Sequence, residues 1–429
     1  VKHRLYPFEK HRFWNYIQSF RIGFFLALRD LKKANKWTTL LIVVVMTLTF
    51  LNLIVVSGIL VGLLEGATDA NRGRYTGDLM ISTLQKKTFI EKSEYIRSLL
   101  ENHPLVDKVS MRYQESGVIE ANYKNRTRLT DSVDTAAGSV FGIDPTKEDE
   151  VTGLSKYIID GQYLDSNDTD KILIGANLLY KYTPIEAPGF YTLKDVEVGS
   201  RVRLVINGTS REVTVKGIIK SKADVDQGIF MNGRELKKII GREDNNVDAI
   251  AVKMKPNTEP KILKNDLLNQ DIDKYAKVQT YIDAQPKFLD DMKKTFGLLG
   301  NIIGSIGLAV AAITIFIIIF VNAITRRRYI GILKGIGIHS RAIEISYIIQ
   351  SLFYALCGIV FGAIIVFLVL QPYLAAHPIN FPFSDGILVA TFVGTMVRGI
   401  ILFVATLIAG YIPARIVVKQ NTLDAILGR

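Results

Sequence analysis

The chain has 429 residues, is 48% hydrophobic and carries 53 Lys and Arg against 41 Asp and Glu, a net charge of +12. The excess is not spread evenly: residues 65–295 hold 35 basic and 36 acidic residues, leaving 18 basic and 5 acidic for the rest. The basic excess therefore lies outside the large middle segment, which argues against nucleic-acid binding. One cysteine, Cys357, excludes a disulfide framework.

In chain order, residues 1–38 carry nine Lys and Arg, and between Phe20 and Trp37 they read as an amphipathic helix. Phe24, Leu28 and Leu31 share one face, while Arg21, Arg29, Lys32 and Lys36 form a charged one. Four long apolar runs follow, at 39–64, 296–324, 345–370 and 387–412. Each exceeds the roughly 20 residues that cross a bilayer as a helix, and lipid forces the backbone to bond within the segment. The first run is longer than a signal-peptide core and lies far from the start, so it is expected to stay as an anchor.

Residues 65–295, between the first two runs, predict a mixed α/β domain of two β-rich subdomains separated near 150–170. Strands are expected at Asp78–Ser82, Val106–Tyr113, Lys171–Gly175 and Ala249–Met254, and helices at Lys92–Glu101 and Pro260–Asn269. Val202–Ile206 and Arg211–Ile219 alternate apolar and polar residues around Asn207-Gly208, a hairpin signal. The fold class is thus an α-helical membrane protein with four transmembrane helices and an α/β domain inserted between helices 1 and 2.

Charge sets the expected topology. Basic residues cluster in 1–38, in the loop 325–344 and in the tail 413–429, whereas the loop 371–386 has none. The positive-inside rule then puts both termini and 325–344 in the cytoplasm, and 65–295 and 371–386 outside.

Small residues recur at helical spacing in the spans: Gly58, Gly62 and Gly66; Gly300, Gly304 and Gly307; Gly358 and Gly362. Such stripes let membrane helices approach closely, within one subunit or across a dimer. Arg398 falls near the middle of the fourth run, where an arginine costs about 2.5–3.5 kcal/mol on insertion scales. No acidic residue lies in the runs, so Asn52, Asn301 and Gln350 are its candidate partners, with snorkelling from a shifted span as the alternative.

No G-x-x-x-x-G-K-S/T phosphate loop, H-E-x-x-H helix or G-x-S-x-G elbow occurs. The five histidines (His3, His11, His103, His339 and His377) are scattered. No catalytic, cofactor or metal site is expected on this chain.

The stretch Arg326-Arg-Arg-Tyr-Ile-Gly-Ile-Leu-Lys-Gly-Ile-Gly337 is basic, helix-capable and flanked by membrane runs. It resembles the R-R-R-E-I-G-I-L-K-A-I-G signature of permease subunits in the MacB/FtsX superfamily of ABC transporters. Pro413-Ala-Arg415 with Thr422-Leu-Asp-Ala-Ile-Leu427 resembles that family's tail, and Phe141–Pro145, Gly161–Leu164, Ile172–Gly175 and Val198–Ser200 follow its order. Within the superfamily the resemblance is to lipoprotein-releasing LolC/LolE permeases. Tyr329 stands where the family usually has Glu, and Thr422 where it has Pro.

The resemblance implies a mechanotransmission permease. It implies as partners a cytoplasmic ABC ATPase dimer holding ATP and Mg, a second permease subunit, identical or not, and a further periplasmic or extracellular partner. The ATPase-coupling residues it marks are Arg326, Arg327, Arg328, Ile330, Gly331, Leu333, Lys334, Ile336, Gly337 and Arg341, with Ile330, Leu333 and Ile336 as apolar anchors. The expected task is export or release of a lipoprotein, peptide or amphiphile at the cell membrane. The alternative is a non-transporting FtsX-like regulator of a cell-wall hydrolase or another envelope partner.

Overall fold

The computed structural model describes residues 8–124, 134–184, 191–285, 287–381, 384–386 and 388–419. The chain divides into two compact units, one built from residues 1–62, 291–379 and 386–429, the other from 63–290 and 380–385.

The first unit is helical. Helix α1 (Phe8–Lys33) ends at Ala34-Asn35, where the Asn35 side chain accepts from the Trp37 amide at 2.9 Å and starts α2 (Lys36–Asn71). Among the described residues, four helices are long and apolar enough to cross a membrane: Lys36–Thr76, Asp291–Thr325, Ser340–Ala376 and Phe392–Val418. Their outward residues, such as Ile306, Ile313, Leu368, Val393 and Ile400, are exposed aliphatics, the surface a lipid solvent covers. Inside, Ile42, Met46, Phe50 and Ile54 of α2 share one core with Ala311, Ile315 and Ile319 and with Tyr354 and Leu402.

The second unit, the β domain, continues from α2 through a π-turn at Arg72–Thr76 into β1 (Leu79–Ser82). Gly77 makes the bend at φ +68, and a Cβ there would lie 2.5 Å from the Val252 carbonyl, so only glycine fits. Then come α3 (Ser93–Glu101), β2 (Val106–Glu120), β3 (Thr135–Ile143), α4 (Pro145–Thr152), β4 (Ile158–Gly161), β5 (Lys171–Gly175), β6 (Arg201–Ile206) and β7 (Thr209–Ile219). The domain closes with β8 (Gly228–Asn232), α5 (Gly233–Ile239), β9 (Ala249–Met254), α6 (Pro260–Asn269) and β10 (Lys277–Thr280). Asn207 and Gly208, at φ 49 and 80, turn the β6–β7 hairpin as a type I′ turn requires.

These strands form one sheet in the order β10-β1-β9-β2-β3-β8-β5-β7-β4, with β6 bridging β2 and β7. The expected separation near 150–170 is corrected by β2. Its first part pairs with β9 and its second with β3 and β6, so the halves meet inside one strand of 15 residues. The first half takes both ends of the domain sequence around Leu79, Ile96, Val252 and Leu263. The second half takes the middle, with one core on each face, around Ile119 and Val215 and around Phe141 and Phe230. Strands β4 and β5 both pair with β7, so the sheet does not divide between them.

The return into the membrane unit is α7 (Lys287–Thr325), followed by α8 (Arg327–Gly335) and α9 (Ser340–Ile364). A π segment, Ile365–Leu370, carries α9 into α10 (Gln371–Ala376). The third apolar helix therefore runs past the expected end at 370. Pro372 lies inside this continuous helical run, just after the π segment, where its missing N–H leaves a carbonyl of the preceding turn without that donor. Two short strands, β11 (Ile379–Phe381) and β12 (Ser384–Gly386), precede the last helix, α11 (Phe392–Val418). The fourth run was expected at 387–412, but Leu388 to Thr391 are non-helical, and Thr391 caps the helix by accepting from Gly394 at 3.2 Å. Pro413 lies inside α11 without ending it.

Candidate functional site

Helix α8 occupies only nine residues of the expected 325–344 helix. Arg326 precedes it, and its C-terminus is released by Gly337 at φ 95, beyond which His339 caps α9 by accepting from the Arg341 amide at 3.2 Å. Both ends are fastened to the bundle. Arg326 pairs with Asp30 of α1 at 3.0 Å, and Lys334 donates to the Val418 carbonyl at the end of α11. A lysine on a helix C-terminus also meets the negative end of the helix dipole. Asp30 is further held by Gln350 of α9 at 3.4 Å. The carboxylate facing this basic helix thus comes from α1, and Tyr329, in the usual glutamate's place, is half-buried against the bundle core.

The structure corrects two of the three expected anchors. Ile330 and Leu333 are only 3% and 8% exposed, and with Gly331 they face the chain's own core beside Leu26, Ile343 and Val417. Their positions three apart put them on one helical face, and that face is spent inside the chain. The outward face holds Arg328, Ile332, Gly335 and Ile336, with the two isoleucines 54% and 71% exposed. Gly337 and Arg341 continue the exposed surface, while Arg327 is half-buried. Ile332 is the residue the sequence reading missed; it lies four positions from both Arg328 and Ile336, which was the available signal.

Helix α1 buries one face in the bundle and leaves Phe24 and Leu28 of its expected interfacial face exposed. Gly23, Leu26 and Ala27 are buried, and a Cβ on Gly23 would lie 2.7 Å from the Ala342 carbonyl of α9. Phe20, Phe24 and Leu28 remain exposed.

The glycine stripes of two spans face α2. Cβ atoms on Gly300, Gly304 and Gly307 of α7 would meet Ser57, Leu53 and Asn52 at 3.5, 3.3 and 2.7 Å. On α9, Gly358 and Gly362 oppose Met46 and Phe50 at 2.4 and 2.5 Å. Gly58 instead faces the Leu388–Val389 segment, while Gly62 is buried and Gly66 half-buried along α2. Arg398 stands nearer the helix end, as the alternative of a shifted span has it, and its partner is none of the three candidates. Because α11 starts only at Phe392, it stands in the second turn, and it donates to the Ser57 hydroxyl of α2 at 2.6 Å. Gln350 is engaged by Asp30 and Ser346, and the Asn52 oxygen is buried without a hydrogen-bond partner. The tail motif Thr422–Leu427 lies outside the described residues.

In the β domain, the turn that follows α2 is held by polar contacts. Arg72 pairs with Asp78 at 2.6 Å and lies over the Tyr281 ring, and Asn71 accepts from the Asp224 amide at 2.8 Å. Arg74 donates to the Ser221 carbonyl. Arg112 of β2 donates to the Tyr75 carbonyl at 2.7 Å and forks onto Glu148 of α4 at 2.9 and 2.7 Å. Burial opposes the Arg112 charge, but Glu148 outweighs it and holds the guanidinium protonated.

A second ionic cluster closes the far edge of the sheet. Asp168 accepts from the Asp165 amide at 2.8 Å, from Lys171 at 2.8 Å and from Lys216 at 2.6 Å. Burial pushes its carboxyl up, but these donors prevail and hold it down to about 2. A depressed carboxylate stabilises the fold above its unfolded value near 3.9 and loses that contribution as pH falls towards its folded value. Asp168→Asn is therefore expected to cost about 2 kcal/mol at pH 7 and about half that at pH 3, read from urea unfolding at both. An equal cost at the two pH values would refute the assignment.

Residues 301–422 match the family described as FtsX-like permease C-terminal. The chain is also similar to the macrolide export ATP-binding/permease protein MacB of Haemophilus ducreyi, 30% identical over 193 residues, 42% of this chain and 25% of that protein. It is 25% identical over 300 residues to an uncharacterized ABC transporter permease of Methanocaldococcus jannaschii, covering 66% of this chain and 69% of that one. The chain thus spans a quarter of the first relative's length and about two thirds of the second's. Among solved structures, the periplasmic region of MacB from Actinobacillus actinomycetemcomitans is similar over 52% of this chain and 94% of that one, at 14% identity and a TM-score of 0.34.

Proposed function

We propose that this chain is the permease subunit of a mechanotransmission-type ABC transporter in the cell membrane, inner where two exist, with both termini cytoplasmic. ATP and Mg are held by a separate ATPase dimer, and the permease works beside a second permease subunit. Helix α8 supports this reading most directly: a short helix tied to the bundle at both ends, with one face buried and Arg328, Ile332 and Ile336 outward. An apolar pair beside a cation suits docking in a groove of the ATPase. Closure of the ATPases moves α8 and, through the spans, the β domain. The work done there is export or release of a lipoprotein, peptide or other amphiphile, of the LolC/LolE kind.

The test separates the two faces of α8. Ile332→Asp with Ile336→Asp, purified from native membranes, is expected to lose at least tenfold of its co-purifying ATPase at unchanged membrane level and melting temperature. Tenfold corresponds to about 1.4 kcal/mol of binding. Leu333→Asp is expected to lower the melting temperature instead, because it buries a charge in the core. Unchanged ATPase recovery by the exposed pair would reject the docking surface.

A further inference from the structure

The β domain holds a cleft that its core packing leaves open. It lies beside Val109, Met111 and Tyr113, where β2 passes from one half of the sheet to the other, and its volume is about 490 Å³. That is within the roughly 300–1,000 Å³ of ligand sites, which favour such junctions. The walls belong to different halves. Arg97 comes from α3, on the first half, Arg234 from α5, on the second, and Lys147 from α4, which packs on β2 beside Ser110 and Arg112.

The cations of the cleft are poorly neutralised. Arg97 pairs through one terminal nitrogen with Glu94 at 2.7 Å, but its Nε is buried with no acceptor. A buried donor left unpaired costs about 1–3 kcal/mol, which an incoming acceptor relieves. Lys147 reaches only Glu101, at 3.9 Å, and Arg234 has no ion pair among the described residues. The lining carboxylates are already engaged: Glu94 by Arg97, and Asp144 by the amides of Thr146 and Lys147 at 3.1 and 3.3 Å. The surplus is therefore positive and spread over three elements. That spacing suits a chain bearing several carboxylates better than one compact anion.

We propose that this cleft binds an acidic peptide segment, with Arg97, Lys147 and Arg234 taking its carboxylates. Because the walls come from both halves of the sheet, the bound segment ties them together. The site belongs to the β domain alone and stands or falls separately from ATPase docking.

The test uses the full chain in detergent micelles and fluorescein-labelled hexaglutamate, followed by fluorescence anisotropy. Saturable binding is expected, weakened at least tenfold by Arg234→Glu and by 0.5 M salt as screening requires. Lys124→Glu makes the same change of charge on the exposed β2–β3 connection and is expected to leave binding unchanged. Should Arg234→Glu alter the melting temperature, Lys147→Glu, also exposed, serves in its place. The proposal is overturned by absent saturation, by equal loss in the cleft and control variants, by equally tight binding of hexalysine, or by full displacement with millimolar inorganic phosphate.

Discussion

Glu148→Ala is expected to destabilise the β domain by about 3–5 kcal/mol, the range for breaking a buried ion pair by removing one partner. Arg112 and Glu148 are each 1% exposed. The carboxylate accepts two bonds from the guanidinium, a third from Ser110 at 2.7 Å and a fourth from Thr152 at 3.1 Å. Alanine leaves a full positive charge in a dry core with only the Tyr75 carbonyl to answer it. Arg112→Leu with Glu148→Leu is expected to cost less than Glu148→Ala, since no bare charge remains, though the Tyr75 carbonyl then lacks its donor. Urea unfolding followed by intrinsic fluorescence reads both. A loss below about 1 kcal/mol for Glu148→Ala would show that the pair is hydrated rather than sealed.

Gly358→Leu is expected to disrupt the membrane bundle. Its Cβ would lie 2.4 Å from the Met46 Cβ and 2.9 Å from the Met46 carbonyl carbon, and backbone does not swing aside as a side-chain tip does. Helices α2 and α9 must separate, which forfeits packing along the whole seam; overpacking typically costs about 1–3 kcal/mol and more where backbone is met. Gly297→Leu on α7 is the matched control, because nothing lies within 4 Å of a Cβ there. Thermal aggregation in detergent should set the two variants well apart. Equal melting temperatures would mean that the seam can open without penalty.

Much of this architecture could be read from the residues, for identifiable reasons. The apolar runs exceed a bilayer's thickness, and the Asn207-Gly208 hairpin follows from local φ preferences. Failures came where packing decides. Helix α8 and its C-cap carry Ile330, Ile332, Leu333 and Ile336 along one broad apolar arc, part of which is buried and part exposed, and the sequence cannot say where that arc divides. Arg398 looked central because Leu388, Val389 and Ala390 extend the apolar run, yet they are non-helical. Strand β2 outlasted its expected end at Tyr113 because the polar stretch Gln114–Gly117 is paired to β3. The Arg112–Glu148 pair joins residues 36 positions apart, and no local pattern announces it. Asp30 left a trace, as one of only two acidic residues in the basic first 38.

The two-faced character of α8 bears on how such a permease can diverge. Ile330 and Leu333 are fixed by folding, whereas Ile332 and Ile336 touch little of their own chain. Under the proposed docking of α8 on an ATPase, substitutions at the outward pair are constrained by that partner and scarcely by the bundle. After gene duplication, two copies could therefore drift towards different motors through a handful of changes, each remaining well folded while cross-talk between them fades.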